Sequence, residues 1–196
     1  MTRPATREKI LQAALEIFAE KGYHRALVDD IVRASQTSKG AVYHHFPNKE
    51  ALFLALVDEF SARLAESVTA AIGGARGALG RVQAALTAGL ETFARNRDLA
   101  RILLLESVSL GPAYQAKRLE VHERFATLIR AHLDEAVAEG SIPSLDTRVA
   151  TLAWVGALNE VVIQWLYNGR PDLLSEAVPA LTPLLLRSIG APAPRV

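Results

Sequence analysis

Residues 27–46, LVDDIVRASQTSKGAVYHHF, restrict the fold of this chain more tightly than any other stretch. They read as a short helix, a tight turn and a second short helix. Leu27, Ile31 and Ala34 are expected inward on the first segment, 27–35, and Gln36-Thr37 make the turn. Ser38 suits the N-cap of the second segment, 39–45, because a serine hydroxyl accepts from the orphan N–H groups of a first helical turn. Gly40 and Ala41 are small, which lets the backbone come close to base edges in a major groove. Lys39 sets a cation beside them. Tyr43, His44 and His45 follow about a turn later with hydroxyl and imidazole groups of the kind that bind phosphates and fix register. Pro47 closes the element, Asn48 caps the next helix, and Lys49 stands in its first turn.

The residues before this stretch support it. Residues 6–21 carry an apolar stripe at helical spacing, Ile10, Leu11, Ala14, Leu15, Ile17 and Phe18. Thr6 is the expected cap, and Gly22 the expected stop. Arg3 and Arg7 lie ahead of this helix or in its first turn, either as phosphate contacts or as solvated charges.

Other chemistries fit poorly. Adjacent residues on a helix point about 100° apart, so His44 and His45 do not chelate one ion easily. No nearby third ligand supports them, and the chain has no cysteine. No nucleophile with a partner carboxylate is evident. No metal, no cofactor and no enzymatic activity are expected. Charge is only mildly uneven: residues 1–50 hold eight Lys/Arg against six Asp/Glu, a net of +2, in a chain whose total is +1. That balance permits nucleic-acid contact at the N-terminal end without establishing it. The opening residues MTRPATREKI are charged, and no uninterrupted apolar run reaches the roughly 18 residues of a membrane span. A cytoplasmic protein with no membrane partner is expected.

The remainder also reads as helical, so the fold class is all-α. Half of the residues are hydrophobic, enough for a sizeable core. A long helix is expected from Lys49 to Ile72, with Leu52, Leu56, Phe60, Leu64, Val68 and Ile72 repeating every four residues. GGARGALG, 73–80, reads as a connector. Helices follow over about 79–95, 98–110 and 112–139, the last with Leu119, Phe125, Leu128, Ile129, Leu133 and Val137 as its apolar positions. Two more cover 145–168 and 172–189. Small residues Ala153, Gly156 and Ala157 line the first beside Val149, Leu152 and Val161. Pro179 and Pro183 in the second imply a kink or a late restart. The tail from 191 to 196 is expected to be disordered.

The stripe ending in FAEKGYHRA, Ile31, the block SKGAVYHHF at 38–46 and PNKEALFLAL at 47–56 together resemble the N-terminal domain of the TetR family of transcriptional repressors. Beyond residue 56 the resemblance rests on length and helical pattern. It implies a three-helix helix-turn-helix DNA-binding domain over 1–48 and a helical effector-binding and dimerisation domain over 49–190. It puts base-edge contacts on Lys39, Gly40 and Ala41, and phosphate contacts on Tyr43, His44 or His45, and Lys49. A further contact falls on Val28 or Asp29. Here the chain departs from the pattern. Ala26-Leu27 replace the usual Ser or Thr cap, Asp29 stands where a basic or polar residue is common, and Gln36 replaces a turn glycine.

The resemblance further implies a homodimer through 145–168 and 172–189. Such a dimer reads double-stranded DNA at an inverted-repeat operator and leaves it when a small-molecule effector binds. An apolar interior suggests an apolar or amphipathic effector, such as a drug-like aromatic, a fatty acid or its thioester. Candidate lining residues are Phe93, Leu103, Leu104, Tyr114, Phe125, Trp154 and Trp165, each also readable as plain core. Glu106, Arg101 and Asn159 are candidates for orienting a polar head group or for the surface. The rival reading, favoured by Ala26, Asp29 and Gln36, is a helical ligand- or partner-binding module that keeps the head without reading DNA.

Overall fold

The computed structural model describes residues 5–105 and 111–191. All regular structure among them is helical. Arg3, Glu106 and the tail beyond Ala191 lie outside the described residues. In chain order the helices are α1 (Thr6–Lys21), α2 (Val28–Ser35), α3 (Lys39–His45), α4 (Lys49–Gly73), α5 (Gly77–Arg95), α6 (Arg97–Leu105), α7 (Gly111–Ala138), α8 (Thr147–Asn168) and α9 (Val178–Ser188). A π-helical turn, Leu173–Ala177, precedes α9. The π-helical turn runs directly into α9, with Ala177 and Val178 both in the helical region, so the prolines give neither a clean break nor a restart: Pro179 falls in the first turn of α9 and Pro183 lies inside it.

Two compact units emerge. One comprises residues up to Ser61 together with 97–117; the other comprises 62–96 and the chain from Arg118 onward. The first unit therefore extends past residue 48, along the opening turns of α4. In it, α1 packs on α2, α3 and α6. Ile10, Phe18, Ile31, Val42 and Leu52 are fully buried. Phe53 stands edge-on to Tyr23 at 5.1 Å and to Tyr114 at 5.5 Å. The Tyr114 hydroxyl donates to the Leu103 carbonyl.

The second unit has its own core of Ala78, Val82 and Leu86 from α5, Leu133 and Ala136 from α7, Trp154 from α8 and Leu185 from α9. Polar ties at its edge are satisfied. Arg81 meets Glu135 at 2.6 Å, and the Trp154 indole donates to Ser188 Oγ at 3.2 Å.

Several local expectations are corrected. Ala5, not Thr6, is the cap of α1, and its N–H is satisfied by Glu8 at 3.2 Å. On α2, Leu27 is 62% exposed and Ala34 is exposed, while Ala26, Asp30, Ile31 and Ser35 face inward. The turn of the helix is set by Asp30, whose carboxylate takes the Leu27 N–H at 3.4 Å and the Lys21 ammonium at 2.8 Å and pairs with Arg33. Leu119 points outward. The connector shrinks to residues 74–76. Glycine weakens a helix by about 1 kcal/mol, but the burial of Ala78 and Val82 draws the rest of that stretch into α5. Ala191 is buried and donates to Leu186 O at 3.1 Å, so order continues into the expected tail.

Asp30 predicts a pH dependence. The hydrogen bond from Lys21, helped by Arg33 and the Leu27 N–H, holds its carboxyl below the ordinary aspartate value against the opposing effect of burial. The folded state thus takes up this proton less readily than the unfolded chain. The stabilisation is complete above the ordinary aspartate range, about pH 4, and is lost as pH falls through the lowered folded value. Asp30→Asn should be less stable than wild type at neutral pH. Acid titration followed by circular dichroism should show the two converging in strong acid.

Candidate nucleic-acid interface

The site begins with the cap. Ser38 Oγ accepts from the Ala41 N–H at 3.1 Å, which starts α3 where the sequence places it. Val42, fully buried, pins the inner face, and Phe46 closes the end under the Arg7 guanidinium at 5.5 Å. Gln36 carries the turn in the left-handed region at φ 52°. Non-glycine residues seldom adopt that conformation, so the departure from the usual glycine is accommodated by the backbone.

With its inner face anchored, α3 presents Lys39, Gly40, Tyr43, His44 and His45 outward, with Ala41 half-buried between them. Tyr43 is 44% exposed. The two imidazoles stand edge to face, 5.3 Å apart. Gly40 has a notable environment: a Cβ built on it would meet only Ser38 Oγ, at 3.9 Å. Nothing inside the protein requires a glycine there.

Two electrostatic features were missed in the sequence reading. Lys39 Nζ pairs with Asp29 Oδ1 at 2.8 Å across the turn, and Asp29 raises the lysine's pKa, keeping it charged. Asp30, the next residue, turns inward and ties α2 to α1. An acid three residues after a helix cap is a local signal that could have found Asp30. No local signal links residues 29 and 39.

Lys49, expected at a phosphate, makes its contacts within the protein in this structure. Its ammonium donates to the carbonyls of Tyr23, His24 and Ala26 at 2.8, 3.3 and 3.1 Å and lies 4.5 Å from the Tyr23 ring centre. Its three N–H donors are thereby taken up, and burial pulls its pKa below the ordinary lysine value. It fastens the α1–α2 loop to the start of α4. Hydrogen bonds to charged groups contribute about 1.5–3 kcal/mol, so Lys49→Met should destabilise the protein by about 2 kcal/mol in chemical denaturation. The salt dependence of DNA binding should be unchanged. A fall in that dependence would return Lys49 to the phosphates.

The candidate effector residues are divided between the units. Leu103, Leu104 and Tyr114 belong to the first; Phe93, Phe125, Trp154 and Trp165 belong to the second. Tyr114, Trp154 and Trp165 are buried, and Phe93 and Phe125 are half-buried. Arg101 is exposed and Asn159 half-buried. An open groove of about 390 Å³ in the second unit is lined by Ala71, Gly80, Gln83, Ala84, Thr87, Ala88 and Glu91, none of them a sequence candidate.

A three-helix head with a buried core and a small-residue third helix, joined to a larger helical unit, is the arrangement found in helix-turn-helix DNA-binding regulators. Residues 10–56 match the family described as bacterial regulatory proteins, tetR family, and residues 75–170 match the tetracyclin repressor-like C-terminal domain. The chain is 31% identical over 137 residues to the transcriptional repressor AcnR of Corynebacterium glutamicum, covering 70% of this chain and 69% of that protein. It is 26% identical over 161 residues to a fatty acid metabolism regulator of Bacillus subtilis, covering 82% of this chain and 83% of the relative. The solved structure of the regulator FadR from Bacillus subtilis in complex with stearoyl-CoA superposes with a TM-score of 0.84 at 26% identity, covering 93% of this chain and 98% of that one. The chain belongs to the TetR family and is a DNA-binding transcriptional regulator.

Proposed function

We propose that this protein is a dimeric repressor that reads an inverted-repeat operator with α3 and leaves it when an acyl-chain effector binds. The observation that carries the reading is the outward row Lys39, Gly40, Tyr43, His44 and His45 around a glycine that the protein's own packing does not need. Lys39, Gly40 and Ala41 lie toward base edges. Tyr43 and His44 or His45 hold phosphates.

Dimerisation is supported by α8. Val149, Leu152 and Tyr167 are 59%, 58% and 66% exposed, and they share one face with Ala153 and Gly156, and with the exposed Glu160, because 18 residues make five full turns. Leu184 on α9 is also exposed. A monomer has no use for such a stripe in water, whereas a two-fold partner buries it against its own copy. This helix is long and apolar enough to cross a membrane by composition, with mean hydropathy 1.4. Its opposite face holds Trp154, Val162 and Trp165 in a protein core, and Arg148 and Glu160 sit on exposed positions. A protein partner suits it better than lipid, and action in the cytoplasm, where the DNA is, follows. In a dimer the two reading helices enter successive major grooves about 34 Å apart.

The effector class rests on the likeness to the stearoyl-CoA complex and to the fatty acid metabolism regulator. An acyl thioester suits the interior of the second helical unit, whose aromatic residues include Phe93, Phe125, Trp154 and Trp165. Selection from a random duplex library tests the DNA reading: an enriched inverted repeat supports it, and unselective binding that vanishes with salt refutes it. Adding stearoyl-CoA to the selected complex tests release. Dissociation at micromolar ligand with a raised Tm of the free protein is expected, and neither change would reject the acyl effector.

A further inference from the structure

We infer that Asp29 is a specificity-determining residue of the operator reader, acting through Lys39 and on a cytosine amino group. The inference rests on α3 being the reading helix. Lys39 and Asp29 are both well exposed, at 59% and 65% for their side chains, yet they meet at 2.8 Å beside the outward residues of α3. Exposed pairs of this kind contribute little to folding stability, so stability does not explain its place. Buried ties already hold α2 through Asp30, Lys21 and Arg33.

The pair changes what Lys39 can recognise. A lone lysine is a point charge that any phosphate or base acceptor satisfies. Beside Asp29 its charge is cancelled toward the solvent, and a phosphate that approaches Lys39 also meets a carboxylate. A base edge offering both an acceptor and a donor satisfies the two partners together. A G·C pair does this in the major groove, with guanine O6 and N7 accepting from Lys39 and the cytosine N4 amino group donating to Asp29. The acid that departs from the family pattern thus rejects unspecific phosphate and selects one G·C position in each half-site.

The test repeats the library selection with wild type, Asp29→Ala, Asp29→Asn and Lys39→Ala. It then measures affinity for the selected operator and for unrelated duplex at several salt concentrations. Asp29→Ala should keep the inverted repeat but lose preference for G·C at one half-site position, roughly tenfold in discrimination. Its affinity for unrelated duplex should rise, with a steeper salt slope of about 0.9 per half-site as Lys39 becomes available to a phosphate. Lys39→Ala should relax the same position with no rise in unspecific affinity. Unchanged Tm values would show that the fold is intact, as the exposure of both side chains requires. An Asp29→Ala protein with wild-type preference at every position and an unchanged salt slope would overturn the inference while leaving the operator reading standing. Failure of wild type to enrich any sequence would overturn both.

Discussion

Replacing Gly40 with leucine should abolish operator recognition and leave the protein as stable as wild type or slightly more so. Glycine is among the poorest helix formers, about 1 kcal/mol below the best. A Cβ at position 40 has no neighbour nearer than Ser38 Oγ at 3.9 Å. Inside the protein the substitution is therefore free of clashes and gains helix propensity. Outside, the new side chain would occupy the space in which the proposed reading brings the backbone of α3 close to the bases. Both half-sites of a dimer suffer at once, so affinity should fall by at least a hundredfold toward the unspecific level, which typically lies at least about 10³-fold below specific binding. Gly40→Ala, one methyl larger, should fall between. Electrophoretic mobility shift on the selected operator, beside thermal unfolding, reads both halves of the prediction. Wild-type affinity in Gly40→Leu would remove α3 from the DNA.

Introducing a charge on α8, by Leu152→Glu, should convert the dimer to a folded monomer. Leu152 is 58% exposed in the single chain, so its loss opens no cavity. In the proposed dimer the two-fold axis would bring two further carboxylates into the shared face of α8. An uncompensated buried charge costs about 3–5 kcal/mol, enough to dissociate most assemblies at micromolar concentration. Sedimentation should give a monomer mass with unchanged helicity. Operator affinity should drop by roughly 10²–10⁴, since the second half-site no longer benefits from being tethered to the first. A mutant that remains dimeric would place the interface elsewhere and leave the apolar stripe of α8 without its proposed partner.

The sequence was most informative where the physics is local. Ser38 and Asn48 bond to N–H groups three residues on, and Gly22 ends α1; each can be read within one turn of chain. It was least informative where a side chain chooses a partner far away. Lys49 looked like a cation for phosphate because nothing near it shows the carbonyls of residues 23, 24 and 26. Asp29 looked like a repulsive misfit because its lysine lies ten positions on, across a turn. Leu27 and Ala34 looked buried by spacing alone; in the structure Asp30 and Ser35 share the inner face with Ile31, and Asp30 is held there by its ion pairs.

By itself, then, the sequence determined the helical class, the turn between the short helices and the small-residue start of the reading helix. Hydrophobic period, caps and breakers are written in neighbouring residues. Only the tertiary structure decided which charges stay exposed beside α3 and which hold the fold. An ion pair forms where packing brings its two groups within a few ångströms, and that distance is set by the core beneath them, by Phe18, Ile31, Val42 and Phe53, not by their separation along the chain.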